Sequence, residues 1–175
     1  MPGDPSGSAE VTSRVPATAE VMAGWPERTA AIRRASARLC MAHGWSALHE
    51  VSLPNSRRAD LLALTPDGRF VCIEVKSGDR DFLSDGKWPD YREYCDTLYF
   101  AVDADFAQAL LPDDVGIIVA HDGLAEIIRP GAAHPLTGSR RRALLLRFAR
   151  LAAVRLMARE DPDGMALARA ALLPE

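Results

Sequence analysis

Cysteine is scarce: 175 residues hold three, Cys40, Cys72 and Cys95. Their spacing matches no zinc-ligand pattern and no CxxC motif. An odd, scattered set of this kind reads as reduced thiols, so a cytoplasmic protein is expected. Long apolar runs are absent too. None reaches the ~18 residues needed to cross a bilayer, and no basic stretch followed by an apolar one opens the chain. Neither a membrane span nor a secretory leader is expected. Charge of one sign is also lacking, because 21 Lys+Arg against 24 Asp+Glu leave a net −3. A protein that coats nucleic acid through a global basic field is disfavoured, and any such contact must come from a local patch or a bound cation. The four histidines, His43, His49, His121 and His134, show no metal-ligand spacing and read as surface or loop residues.

What the chain does have is ordinary for a globular domain: 48% hydrophobic and 26% charged residues, with enough length for one real core. Residues 1–24 are rich in Pro, Gly, Ser, Ala and Thr and read as a disordered arm. Residues 25–160 read as one domain and residues 161–175 as a weakly helical tail. The spacing of Ile32, Ala35 and Leu39 predicts a helix from Pro26 to His43, stopped by Gly44. Strands are expected over Trp45–Leu53, Arg58–Leu64, Arg69–Lys76 and Thr97–Val102. A mostly helical stretch, interrupted near Pro89, is expected over Asp79–Asp96, and a short helix over Asp103–Leu111. A hairpin over Val115–Ala120 and Leu124–Ile128 and a long amphipathic helix over Thr137–Arg159 complete the reading.

The turn Thr65-Pro66-Asp67-Gly68 is the most informative local feature. Pro suits the second position of a type I turn and Asp the third. Gly68 can take the left-handed conformation that closes a three-residue loop with a bulge. Thr65 then faces Arg69, and the pairing runs Leu64–Phe70, Ala63–Val71, Leu62–Cys72, Leu61–Ile73 and Asp60–Glu74. Opposed residues share a face, so Leu64, Phe70, Leu62 and Cys72 lie with Asp60 and Glu74, while Ala63, Val71, Leu61, Ile73, Ala59 and Val75 lie on the other. Both faces are apolar, which predicts a hairpin inside the sheet, covered by helices on both sides. Two carboxylates end the apolar ribbon side by side, and Lys76 projects beside them. Left alone, such a pair costs stability. A Mg²⁺ or Mn²⁺ ion would relieve it, and the set of Asp60, Glu74 and Lys76 suits metal-assisted phosphodiester hydrolysis. The competing account is an ion-pair network, and a two-residue loop would instead bring Asp60 opposite Ile73.

Asp60, followed thirteen residues later by Glu74-Val75-Lys76, resembles the PD-(D/E)XK nuclease superfamily. Arg57-Arg58-Ala59-Asp60-Leu61, Glu74-Val75-Lys76-Ser77, Asp85-Gly86-Lys87-Trp88-Pro89-Asp90-Tyr91 and Cys95 to Val102 more narrowly resemble the MmcB family of bacterial DNA repair proteins, over about residues 26–155. The resemblance implies an α/β, restriction-endonuclease-like αβββαβ core with a mixed central sheet flanked by helices, extended here by a C-terminal hairpin and long helix. It implies that Asp60 and Glu74 bind a metal and that Lys76 supports catalysis. The upstream acidic ligand that the superfamily often adds is best matched by Glu50. Ala59 stands where the motif's proline would be. The implied function is a metal-dependent DNA endonuclease acting in repair with DNA, and with other repair proteins, as partners. Because the superfamily includes domains that keep the fold without cutting, the alternative is an inactive module that binds DNA or a repair partner.

Other residues admit both functional and structural readings. Arg57, Arg58 and Lys87 are candidate DNA contacts, and the arginines could equally pair with a carboxylate such as Glu74. Asp79, Asp81 and Asp85 could rim the site, although Asp79 or Asp81 would also favour a helix start. Trp88 and Tyr91 read as core residues before base-stacking ones. Arg140, Arg141, Arg142, Arg147 and Arg150 make the last long helix basic, around a buried stripe of Leu144, Leu145, Phe148, Leu151 and Ala152.

Overall fold

The computed structural model describes residues 25–171, so the proposed N-terminal arm lies outside the described residues. Helix α1 (Trp25–Ala42) leads into strands β1 (Ser46–Ser52), β2 (Arg58–Leu64) and β3 (Phe70–Val75). The short helix α2 (Asp79–Ser84) and a 3₁₀ segment (Trp88–Tyr94) carry the chain to β4 (Thr97–Asp103). A single 3₁₀ turn (Gln108–Leu110), strands β5 (Gly116–His121) and β6 (Leu124–Arg129), and helices α3 (Gly138–Glu160) and α4 (Pro162–Ala171) follow. The six strands form one sheet in sequence order. β1–β2, β2–β3 and β5–β6 pair antiparallel, while β3–β4 and β4–β5 pair parallel. This is a mixed α/β sheet that fits a restriction-endonuclease-like core.

Gly44, at φ 69°, ends α1, and its N–H donates to Met41 O. α1 lays Ile32, Ala35 and Cys40 on one sheet face, against Leu61, Ala63, Val71, Ile73 and Val75. The opposite face carries Leu62, Phe70, Cys72, Leu98 and Phe100, covered by Phe82 of α2, Tyr91 and Trp88 of the 3₁₀ segment, and Leu144 and Phe148 of α3. Burial on both faces explains why the central strands lack polar alternation. Burying each such side chain contributes about 1.5–3 kcal/mol.

The tight loop behaves as the sequence predicts. Gly68 sits at φ 81°, its N–H donates to Thr65 O, and Thr65 N–H donates to Arg69 O. The register is Leu61–Ile73, Leu62–Cys72, Ala63–Val71 and Leu64–Phe70.

Three expectations are corrected. The helix expected over Asp103–Leu111 is a turn with one 3₁₀ segment, Gln108–Leu110, whereas the mostly helical stretch expected before β4 is present as α2 and a 3₁₀ segment with a break just before Pro89. On α3 only Leu144 and Phe148 are buried, and Leu145 is exposed, so the stripe is narrower than its periodicity implied. Ala59 packs with Leu62 and Val51 rather than with Leu61 and Val75. The alternation of sides breaks at Asp60 on β2 and at Glu50 on β1. Glu50 has the left-handed φ of 47°, which turns β1 out of its regular pleat.

Candidate functional site

Beyond Leu61–Ile73 the ladder between β2 and β3 continues through side chains. Asp60 N–H donates to Glu74 Oε1 at 3.2 Å, and Val75 N–H donates to Asp60 Oδ2 at 2.8 Å. The broken alternation turns Asp60 toward the neighbouring strand, so each carboxylate caps a backbone N–H and keeps a second oxygen without one. Glu74 is 4% exposed. Burial, and then the Asp60 charge, push its carboxyl up to about 8. Burial also raises Asp60, against the opposing pull of the Val75 N–H and Lys76.

Lys76 follows β3, with its backbone N–H bonded to Ala101 O. Its side chain is buried, and Nζ lies 2.6 Å from Asp85 Oδ2. Asp85, at the C-terminal end of α2, therefore anchors the lysine rather than lying loosely at the rim. Asp60, Glu74 and Lys76 open into one cavity of about 840 Å³, which Arg58, Arg80, Asp81 and Tyr91 also line. Tyr91 is a core residue, as its spacing implied, yet its hydroxyl donates to Arg58 O at 3.2 Å and stands close enough to Glu74 to favour that carboxylate's charge slightly. Sequence reasoning missed that second role, and it missed Arg80. The tyrosine comes from a 3₁₀ segment whose path no local pattern fixes. Below the pocket, Cys72 Sγ lies 3.9 Å from Glu74 Oε1, and burial lifts its thiol well above the usual range. Cys95 Sγ lies 3.5 Å from His134 Nε2, so His134 is half-buried rather than a free surface residue.

Glu50 does not join the acidic pair. Its carboxylate pairs with Arg33 at 2.8 Å and with Arg58 at 3.6 Å, and it lines a different hollow. The left-handed kink at Glu50 turns this side chain toward the arginines, which removes it from the metal-ligand set. Arg57 pairs with Asp90 at 2.8 Å and Lys87 is exposed, and neither lines the acidic cavity. Arg58 does line it and pairs with Glu50 rather than with Glu74.

Among the described residues no group of three or more His, Cys, Asp or Glu side chains is arranged to hold a metal ion. A Mg²⁺-type cation needs only one or two protein carboxylates and keeps several waters. One buried and one half-buried acid, both with raised proton affinity, suit that demand, so the pair Asp60 and Glu74 fits such an ion where a three-acid cage does not exist. Among the described residues no helix is long and apolar enough to cross a membrane.

Comparison with known proteins adds an independent line. The model of a family described as DNA repair protein MmcB-like matches residues 17–163. A solved structure of a protein of unknown function from Silicibacter pomeroyi matches with a TM-score of 0.75 and 38% identity, covering 78% of this chain and 94% of that one. No curated protein matches the sequence.

Proposed function

The chain belongs to the MmcB-like family of DNA repair proteins, and from that premise we propose that it is a metal-dependent DNA endonuclease whose reaction centre is Asp60, Glu74 and Lys76. The observation that carries this reading is the reciprocal bonding of Asp60 and Glu74 across the end of β2 and β3, beside a buried, anchored lysine, in one open cavity. Asp60 and Glu74 would hold Mg²⁺ or Mn²⁺. A bound ion of this kind polarises a phosphodiester and lowers the pKa of water.

The chain's own groups do the rest. The backbone N–H groups of Asp60 and Val75 fix one oxygen of each acid, so the remaining oxygens keep a set orientation toward the cavity. Asp85 holds the Lys76 ammonium in place. A fixed cation there stabilises negative charge that develops on a phosphate oxygen, and it loses little freedom when the reaction begins. Arg58 and Arg80 line the same cavity, where they can take non-bridging phosphate oxygens.

The test is cleavage of branched, nicked, single-stranded and duplex DNA with either metal. Asp60→Ala and Lys76→Ala should each lower the rate by ~10²-fold or more. Cleavage that persists in both variants would remove the assignment. A second reading, a DNA- or partner-binding module that does not cut, is favoured by one observation: the Lys76 ammonium is already occupied by Asp85. Calorimetry separates the two, since the module would bind DNA while giving no Mg²⁺ heat.

A further inference from the structure

α3 concentrates charge that the whole molecule lacks. Its 23 residues carry seven arginines and one acidic residue, Glu160, in a chain of net −3. The first arginines are consumed by the fold. Arg140 pairs with Glu93 and lies over the Tyr94 ring, and Arg141 grips Asp96. Farther along, Arg147, Arg150 and Arg155 form no ion pair among the described residues. With Glu50, Ser52, Leu151 and Val154 they line a groove of about 360 Å³ between α3 and edge strand β1.

Two of these arginines are held in position by backbone. Arg147 Nε donates to Ser52 O at 2.6 Å, and Arg155 donates to His49 O at 2.5 Å and to Glu50 O at 3.2 Å. These carbonyls belong to a strand with a neighbour on one side only, so the arginines satisfy acceptors that the sheet leaves open. Tethered guanidinium groups give up less freedom when they take an anion. The groove also adjoins the acidic cavity. Glu50 lines the groove, Arg58 lines the cavity, and the two residues form one ion pair. From Arg147 to Arg155 the helix rises about 12 Å, roughly three phosphate steps of a DNA strand.

We propose that the groove of Arg147, Arg150 and Arg155 between α3 and β1 binds the phosphate backbone of the DNA that reaches the Asp60–Glu74 cavity. This rests on the DNA-directed reading above and extends the substrate footprint along the β1 edge. Glu50 then serves as the counter-charge that sets Arg33 and Arg58 in place.

Binding of a labelled duplex is measured by fluorescence anisotropy in EDTA across a salt series, so that it is read independently of cleavage. Arg150→Glu is the informative variant, because Arg150 is exposed and makes no hydrogen bond or ion pair among the described residues. Its melting temperature should match the wild type. Its affinity should fall about tenfold, and the salt slope should drop by about one. Arg142→Glu makes the same charge change on the same helix outside the groove, and it should cost no more than about twofold. Glu50→Gln should tighten binding severalfold. Equal losses in Arg150→Glu and Arg142→Glu would overturn the groove, as would unchanged binding in Arg150→Glu or a wild type that binds no duplex. Cleavage with Mg²⁺ is scored separately. A protein that binds through the groove and never cuts loses the nuclease reading and keeps this one. Cutting that is unimpaired in Arg150→Glu does the reverse.

Discussion

Glu74 holds its proton at pH values where an ordinary carboxyl has lost it, because leaving water and facing Asp60 both disfavour its charge. The consequence for stability has a definite sign. Between the ordinary value of 4.5 and about 8, the folded chain binds a proton that the unfolded chain has released. Metal-free stability therefore falls as pH rises through that window, with a slope approaching about 1.4 kcal/mol per pH unit. Urea titrations from pH 5 to 9 should show this slope, and Glu74→Gln should flatten it. A slope that survives the substitution would mean that Glu74 is not the responsible group. At this scale the sequence was informative where chemistry is local. Asp60, Glu74 and Lys76 were readable because a tight turn counts residues outward from a fixed point. Glu50 was misread, since its position at a strand end says nothing about a left-handed φ or about arginines 17 residues upstream and 8 downstream.

Elements dock through groups that no period reveals. Asp96, 2% exposed, accepts N–H bonds from Phe70 at 2.7 Å and Leu136 at 2.9 Å, and takes two bonds from Arg141 of α3. Burial opposes its charge, yet Arg141 and the two N–H groups hold its carboxyl below the usual range. It ties β3, the segment before α3, and α3 itself together. Asp96→Ala leaves the Arg141 guanidinium and two buried N–H groups without that partner, so a loss of about 3–5 kcal/mol is expected in urea denaturation at pH 7. A loss below about 1 kcal/mol would show that the Asp96–Arg141 grip contributes little to holding α3 in place. The β2–β3 hairpin, by contrast, needed no tertiary information. Pro66, Asp67 and Gly68 specify its turn, and the turn fixes the pairing.

For the molecule as a whole, the acid pair is an internal cost that a cation would remove. An ion bound only by the folded state adds about 2.7 kcal/mol when its concentration is 100 times its dissociation constant. In a chain of this size that corresponds to a melting temperature raised by roughly 5–10 °C. Saturating Mg²⁺ should produce such a rise at pH 8, a smaller one at pH 6 where Glu74 keeps its proton, and none in Asp60→Ala. Scanning calorimetry reads all three, and an equal rise in Asp60→Ala would place the ion elsewhere.

By itself the sequence determined the class of fold, the order of the strands along the chain, the hairpin register and the two acids at its end. The register and the two acids follow from turn chemistry within a few residues, and the class of fold from the order of helical segments and strands apolar on both faces. Tertiary structure decided which cations meet which partners: Asp85 on Lys76, Glu50 on Arg33 and Arg58, Asp96 on Arg141, and Arg147 and Arg155 of α3 on the carbonyls of the β1 edge. Those partnerships span loops whose paths are set by burial of the two apolar faces, and side chains far apart in the chain meet only once that packing is complete.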